Sequence, residues 1–157
     1  MDKLTSALTT AKDPHQCQLF KEMLTAAVAD TLPSFNRSNG SSTASRSYIG
    51  YYLTDPPRMP PQALWVGLSE RGDDWTAIRF VTWDLPVTPD AAEQEGFRVE
   101  ADEYTLSGTK CVRRLPLDGD FFALSGAEQL QRIEEFLGRC REGIENIINA
   151  SQRPAGD

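Results

Sequence analysis

Apolar residues recur along the last third of the chain at helical spacing: Leu130, Ile133, Leu137, Cys140, Ile144 and Ile147 stand three or four positions apart. This pattern puts them on one face of a helix of about 22 residues, roughly 33 Å long. Ser125-Gly126-Ala127-Glu128 precedes the stripe and reads as a capping box, in which Ser and Glu satisfy each other's unpaired amides. A second helix is predicted after Asp13-Pro14, with Asp as the cap and Pro at the first helical position. Cys17, Phe20, Leu24, Ala27 and Val28 keep the helical period until Leu32, before Pro33.

Between the helices the period changes to two. Residues 47–53 (SYIGYYL), 63–69 (ALWVGLS) and 75–83 (WTAIRFVTW) read as strands, the last two joined by the turn Arg71-Gly72-Asp73-Asp74. Pro56, Pro57, Pro60 and Pro61 make a stiff connection that cannot enter a sheet interior. Residues 90–95 form at most one short helical turn after Pro86 and Pro89. Residues 97–104 and 109–115 form a second hairpin around Leu106-Ser107-Gly108, and Asp118-Gly119-Asp120 is a further turn. Residues 33–46, with Asn39-Gly40 and five serines, read as a mobile loop; residues 1–12 read as a frayed start or a short extra helix, and residues 150–157 as a frayed end. The expectation is a single α+β domain over residues 1–157. It has a mostly antiparallel five-stranded sheet flanked by an N-terminal helix and a long C-terminal helix.

Strand alternation sorts the first three strands into two faces. Ile49, Tyr51, Leu53, Leu64, Val66, Leu68, Ile78 and Phe80 form one, an ordinary core. The other holds Tyr48, Tyr52, Trp65, Trp75 and Trp83 together with Gly50, Gly67, Ala77, Arg79 and Val81. Five of the chain's seven Trp and Tyr residues therefore share a face with two glycines and an arginine. Trp, Tyr and Arg dominate binding hot spots, and a glycine within a strand marks a close approach. Tyr48, Tyr52, Trp65, Arg79 and Trp83 are thus the candidate partner- or ligand-binding residues. The alternative is that a terminal helix covers this face and the glycines make room for it. The C-terminal stripe likewise has two uses, packing on its own sheet or pairing with a second copy in a homodimer.

Charge narrows the partners. The 157 residues carry 16 Lys+Arg and 23 Asp+Glu, a net charge of −7. That sign disfavours nucleic acid and anionic membrane surfaces and favours a basic protein partner. No stretch approaches 18 apolar residues, and no basic N-terminal end is followed by an apolar run, so a cytoplasmic location without a membrane span is expected. Cys17, Cys111 and Cys140 are odd in number and far apart, as suits reduced thiols.

The parts for familiar catalysis are missing. The single histidine, His15, has no partner nearby in sequence for a nucleophilic triad, and one His with three dispersed Cys does not make a zinc site. Lys110, Arg113 and Arg114 lie near Cys111 in sequence and could activate a thiol, but in a strand only Arg113 shares its face. No Walker loop or G-x-G-x-x-G occurs. No cofactor or metal is implied.

The order α-βββ-α-ββ-α in a small acidic chain is similar to that of the dimeric chaperones of bacterial type III secretion, although the middle helix is barely present and no sequence motif accompanies the order. The likeness is one of element order, and such an order does not by itself imply a function. The sequence thus points first to a non-catalytic acidic protein-binding module: an inhibitor, an immunity or anti-defence factor, or an escort chaperone. The alternative is a small-ligand- or nucleotide-binding protein or hydrolase with an unfamiliar site, drawing on Arg79, Glu100, Asp102, Arg113 or His15.

Overall fold

The computed structural model describes residues 2–6, 12–32, 36–37, 48–55, 62–69, 74–83, 88–102 and 108–151. Helix α1 (Pro14–Thr31) begins where expected, with the Asp13 carboxylate accepting from the backbone N–H groups of His15 and Gln16. At its far end the Arg141 guanidinium donates to the Thr31 carbonyl at 3.1 Å, satisfying an oxygen that the helix itself leaves unpaired. The strands are β1 (Asn36–Arg37), β2 (Tyr48–Asp55), β3 (Gln62–Ser69), β4 (Asp74–Trp83), β5 (Arg98–Ala101) and β6 (Thr109–Pro116). Helix α2 (Pro89–Gln94) is capped by Thr88. Helix α3 (Gly119–Phe122) is capped by Asp118 and occupies the expected turn. Helix α4 (Gly126–Ser151) has 26 residues. Its capping box forms as read, with Ser125 N–H donating to Glu128 at 3.1 Å and Glu128 N–H to the Ser125 hydroxyl at 3.2 Å.

All strand pairs are antiparallel, in the order β1-β2-β3-β4-β6-β5. The five expected strands are present. A sixth, β1, falls within the segment expected to be a mobile loop and pairs Asn36 with Thr54 and Arg37 with Leu53. Two residues of pairing leave no periodicity for a sequence to display. The remainder of 33–46 lies outside the described residues.

The inner face of the sheet is the one expected. Ile49, Leu53, Leu64, Val66, Leu68, Ile78 and Phe80 are all at most 2% exposed. They share one apolar cluster with Phe20, Met23 and Leu24 of α1 and Ile133, Leu137, Cys140 and Ile144 of α4. The α4 stripe is therefore used within the chain, at 0–5% exposure from Ile133 to Ile147. Of the two uses expected for the stripe, the one seen within the chain is packing in its own core.

Residues 2–6 depart from the expectation of a frayed end, while residues 1 and 7–11 lie outside the described residues. Leu4 is fully buried in the core cluster. The buried Gln129 side chain accepts from Leu4 N–H at 2.7 Å and donates to the carbonyls of Leu4 at 3.0 Å and Phe121 at 3.2 Å. Gln16 accepts from Thr5 N–H at 2.9 Å and donates to the Lys3 carbonyl at 3.3 Å. Two side-chain amides thus give this extended segment the backbone pairing that a neighbouring strand would supply. The small and polar composition of residues 1–12 hides this, because the amide partners of the segment lie far away in sequence.

Two outcomes are expected. Gln129→Ala leaves three buried backbone groups without this partner and costs roughly 2–4 kcal/mol; an unchanged urea midpoint would show that the amide clamp does not hold the segment. On α4, burial, reinforced by a hydrogen bond and the negative charge of Asp30, raises the Glu134 pKa. The folded chain therefore holds this proton more tightly than the unfolded chain. The site's contribution is complete below the unfolded carboxyl range and is lost as pH rises through the folded value. Glu134→Gln should raise stability at neutral pH, by an amount that shrinks toward acid pH when urea midpoints are compared across pH.

Candidate functional site

The outer face of the sheet is built by register. Tyr52 pairs with Trp65, Trp65 with Val81, Val81 with Val112, and Val112 with Arg98, so one row crosses from β2 to β5. The neighbouring row runs Gly50, Gly67, Arg79, Arg114. On the other side, Trp83 pairs with Lys110 and Lys110 with Glu100. Trp65, Val81 and Val112 form a second, small apolar cluster with Trp83 packed against it. Every described helix contributes to the first cluster and none to this one.

The glycines explain how the face is made. A Cβ at Gly50 would stand 2.7 Å from Cζ2 of Trp65, so the indole lies over the β2 backbone. A Cβ at Gly67 would stand 2.1 Å from the Ile49 carbonyl oxygen, so the glycine lets the two strands approach. The close approach marked in the sequence is therefore by a tryptophan and a neighbouring strand. Among the described residues no helix covers the face.

Of the five residues singled out in the sequence, Tyr52, Trp65, Arg79 and Trp83 come together here. Trp65 and Arg79 are buried, at 7% and 6% exposure, while Tyr52 is 49% exposed. The Tyr52 and Trp83 rings stack with centroids 6.3 Å apart and planes at 21°. Tyr48 has its backbone in β2, opposite Ser69, and its side chain, like that of Trp75, lies outside the described residues.

Sequence reasoning did not place Arg98, Lys110, Val112 and Arg114 on this face. The alternation of Lys110 and Arg114 relative to Cys111 was legible, but not that β6 would insert between β4 and β5. Arg114 donates to Glu100 at 3.0 Å, each side chain a little over a quarter exposed.

The residues of the alternative, enzymatic reading do not converge. His15 is at the start of α1, in the helical layer, 3.3 Å from Asp2. These two, with Gln18, Leu19 and Glu22, line a cleft of about 260 Å³. Arg113 points to the other side of the sheet from Glu100 and donates to the Glu95 carbonyl at 3.1 Å. Asp102 is buried at the β5–β6 hairpin, where its N–H bonds the Gly108 carbonyl. Among the described residues no group of three His, Cys, Asp or Glu could hold a metal ion, and no helix is long and apolar enough to cross a membrane.

The two buried thiols, Cys111 and Cys140, are not activated. Burial raises the pKa of Cys111, and burial raises that of Cys140 far more, outweighing the nearby cations Arg113 and Arg139. Desolvation disfavours the thiolate, which is the nucleophilic form.

Comparison with protein-family models, curated proteins and solved structures gives no match to this chain.

Ellman's reagent should modify the half-buried Cys17 first in the native chain and reach Cys111 and Cys140 only on unfolding. Rapid native labelling of Cys111, read by mass spectrometry of the digested adduct, would restore the reactive-thiol reading.

Proposed function

We propose that this chain is a non-catalytic protein-binding module that engages its partner through the outer sheet face. Inhibition of one protein, an immunity or anti-defence role, or escort of one protein are the activities open to such a module. The observation that carries the proposal is a sheet face with stacked Tyr52 and Trp83 at its surface and a Trp65–Val81–Val112 cluster beneath them, on which no described helix packs. Rigid aromatics backed by an ordered apolar layer bury large area on binding at little conformational cost. The net charge of −7 supports fast electrostatic approach to a basic protein in the cytoplasm, where reduced cysteines persist.

The test is native purification of the full-length chain at low salt, with the mass of any complex measured by light scattering and its members identified by mass spectrometry. A second protein in fixed ratio is expected. Tyr52→Ala and Trp83→Ala should release it while leaving the melting temperature within a few degrees of wild type, since both side chains reach the surface. Retention of the partner at wild-type ratio by both variants would remove the aromatic face from the interaction, and a chain that elutes alone would count against the module.

A further inference from the structure

The charges of the outer face identify what it accepts. Among the described residues, acids outnumber bases in the helical layer and bases outnumber acids on the outer strand positions. In the helical layer α4 carries five Glu against three Arg, and α2 carries Asp90 and Glu93 with no base. On the outer face, strand register sets Arg79 beside Arg114, Lys110 beside Trp83 and Arg98 beside Val112. Glu100 is the acid among these described strand positions, with Asp102 buried just past the end of β5. Arg98 is exposed and Lys110 half-buried, so both can meet an incoming chain. An acidic molecule thus presents a cationic and aromatic surface.

Range decides which charge matters. The acids of the helical layer lie across the sheet from this face, and charges separated through solvent by more than about 8 Å are largely screened at physiological salt. They influence approach; Arg98 and Lys110 act at contact. The row from Tyr52 on β2 to Arg98 on β5 crosses four strand spacings, about 19 Å, the span of about six extended residues.

We infer that the segment seated on this face is a protein segment carrying Asp or Glu beside apolar or aromatic side chains. Its acidic end lies over Arg98 and Lys110, and its apolar end lies against Tyr52 and Trp83. This rests on the protein-binding reading above and corrects the charge expected of the contacting segment: a basic segment would set like charges against Arg98 and Lys110. Single-stranded nucleic acid fits less well. The Trp65 indole lies on the Gly50 backbone and Tyr52 stacks on Trp83, so the rings are committed to the fold and to each other rather than spread as separate platforms for successive bases.

Random phage-displayed peptides long enough to span the row, selected on the full-length chain and remeasured as fluorescein-labelled peptides by polarisation, test this. Selected peptides should combine Asp or Glu with apolar residues and weaken as salt rises. The pair Arg98→Glu and Lys110→Glu should reduce their affinity by about tenfold or more, whereas Glu142→Lys on α4 should not. If thermal melting shows that the charge reversal unfolds the chain, the pair Arg98→Gln and Lys110→Gln replaces it. Basic or uncharged binders that still depend on Tyr52 and Trp83 would overturn the acidic preference and leave the protein-binding reading standing. Acidic binders indifferent to the Arg98 and Lys110 substitutions would overturn it likewise. Recovery of no binder, or of binders indifferent to Tyr52→Ala and Trp83→Ala, would overturn both. Tighter binding of labelled oligo-dT or oligo-U than of any peptide would assign the face to nucleic acid instead.

Discussion

Burial of the α4 stripe between α1 and the inner face of the sheet is the interaction on which the rest of the structure depends. Ile133, Leu137, Cys140 and Ile144 are almost wholly buried, and the residues they meet come from the N-terminal segment, α1 and several strands. Deleting one of its leucine- or isoleucine-sized side chains would cost roughly 2–5 kcal/mol, a large share of the 5–15 kcal/mol typical of a domain. The small polar contacts follow from it. Arg141 reaches the end of α1, and Gln129 holds Leu4, because α4 brings them there.

A consequence is one-sidedness. All described helices contribute to the inner cluster, and among the described residues the apolar layer of the outer face comes from the strands alone. Gly50 admits the Trp65 indole, and Val81 and Val112 close the cluster from the next two strands. Above this layer Tyr52 and Trp83 stack at the surface. An antiparallel sheet with one face in a core and one toward solvent alternates polar and apolar positions. Here the outer positions hold buried Trp65, Arg79, Val81 and Val112, with exposed Tyr52 and Arg98 and half-buried Trp83 and Lys110 around them.

The same layering separates groups that would have to meet for catalysis. His15 and Asp2 are in the helical layer, Arg113 is on the inner side of β6, and Glu100 is engaged by Arg114 on the outer side. Cys111 and Cys140 are enclosed where the thiolate is disfavoured. What remains concentrated in one place is the combination of rings and cations on the outer face.

Local periodicity determined most of the fold. The 3.6-residue stripe of α4, the Asp13-Pro14 start of α1 and the period-two alternation of β2, β3 and β4 each follow from which positions must be buried, a constraint written in contiguous residues. The capping box is equally local, and so was the grouping of Tyr52, Trp65, Arg79 and Trp83 on one face. Tertiary structure alone decided the rest. The insertion of β6 between β4 and β5 brought Arg98, Lys110 and Arg114 beside the aromatics. Both terminal helices took the inner face, and one leucine near the N-terminus was captured by Gln129. These outcomes depend on contacts between residues distant in sequence. Such contacts leave no period behind, because strand order and the choice of sheet face are set by the total burial of the assembled chain and not by any one segment.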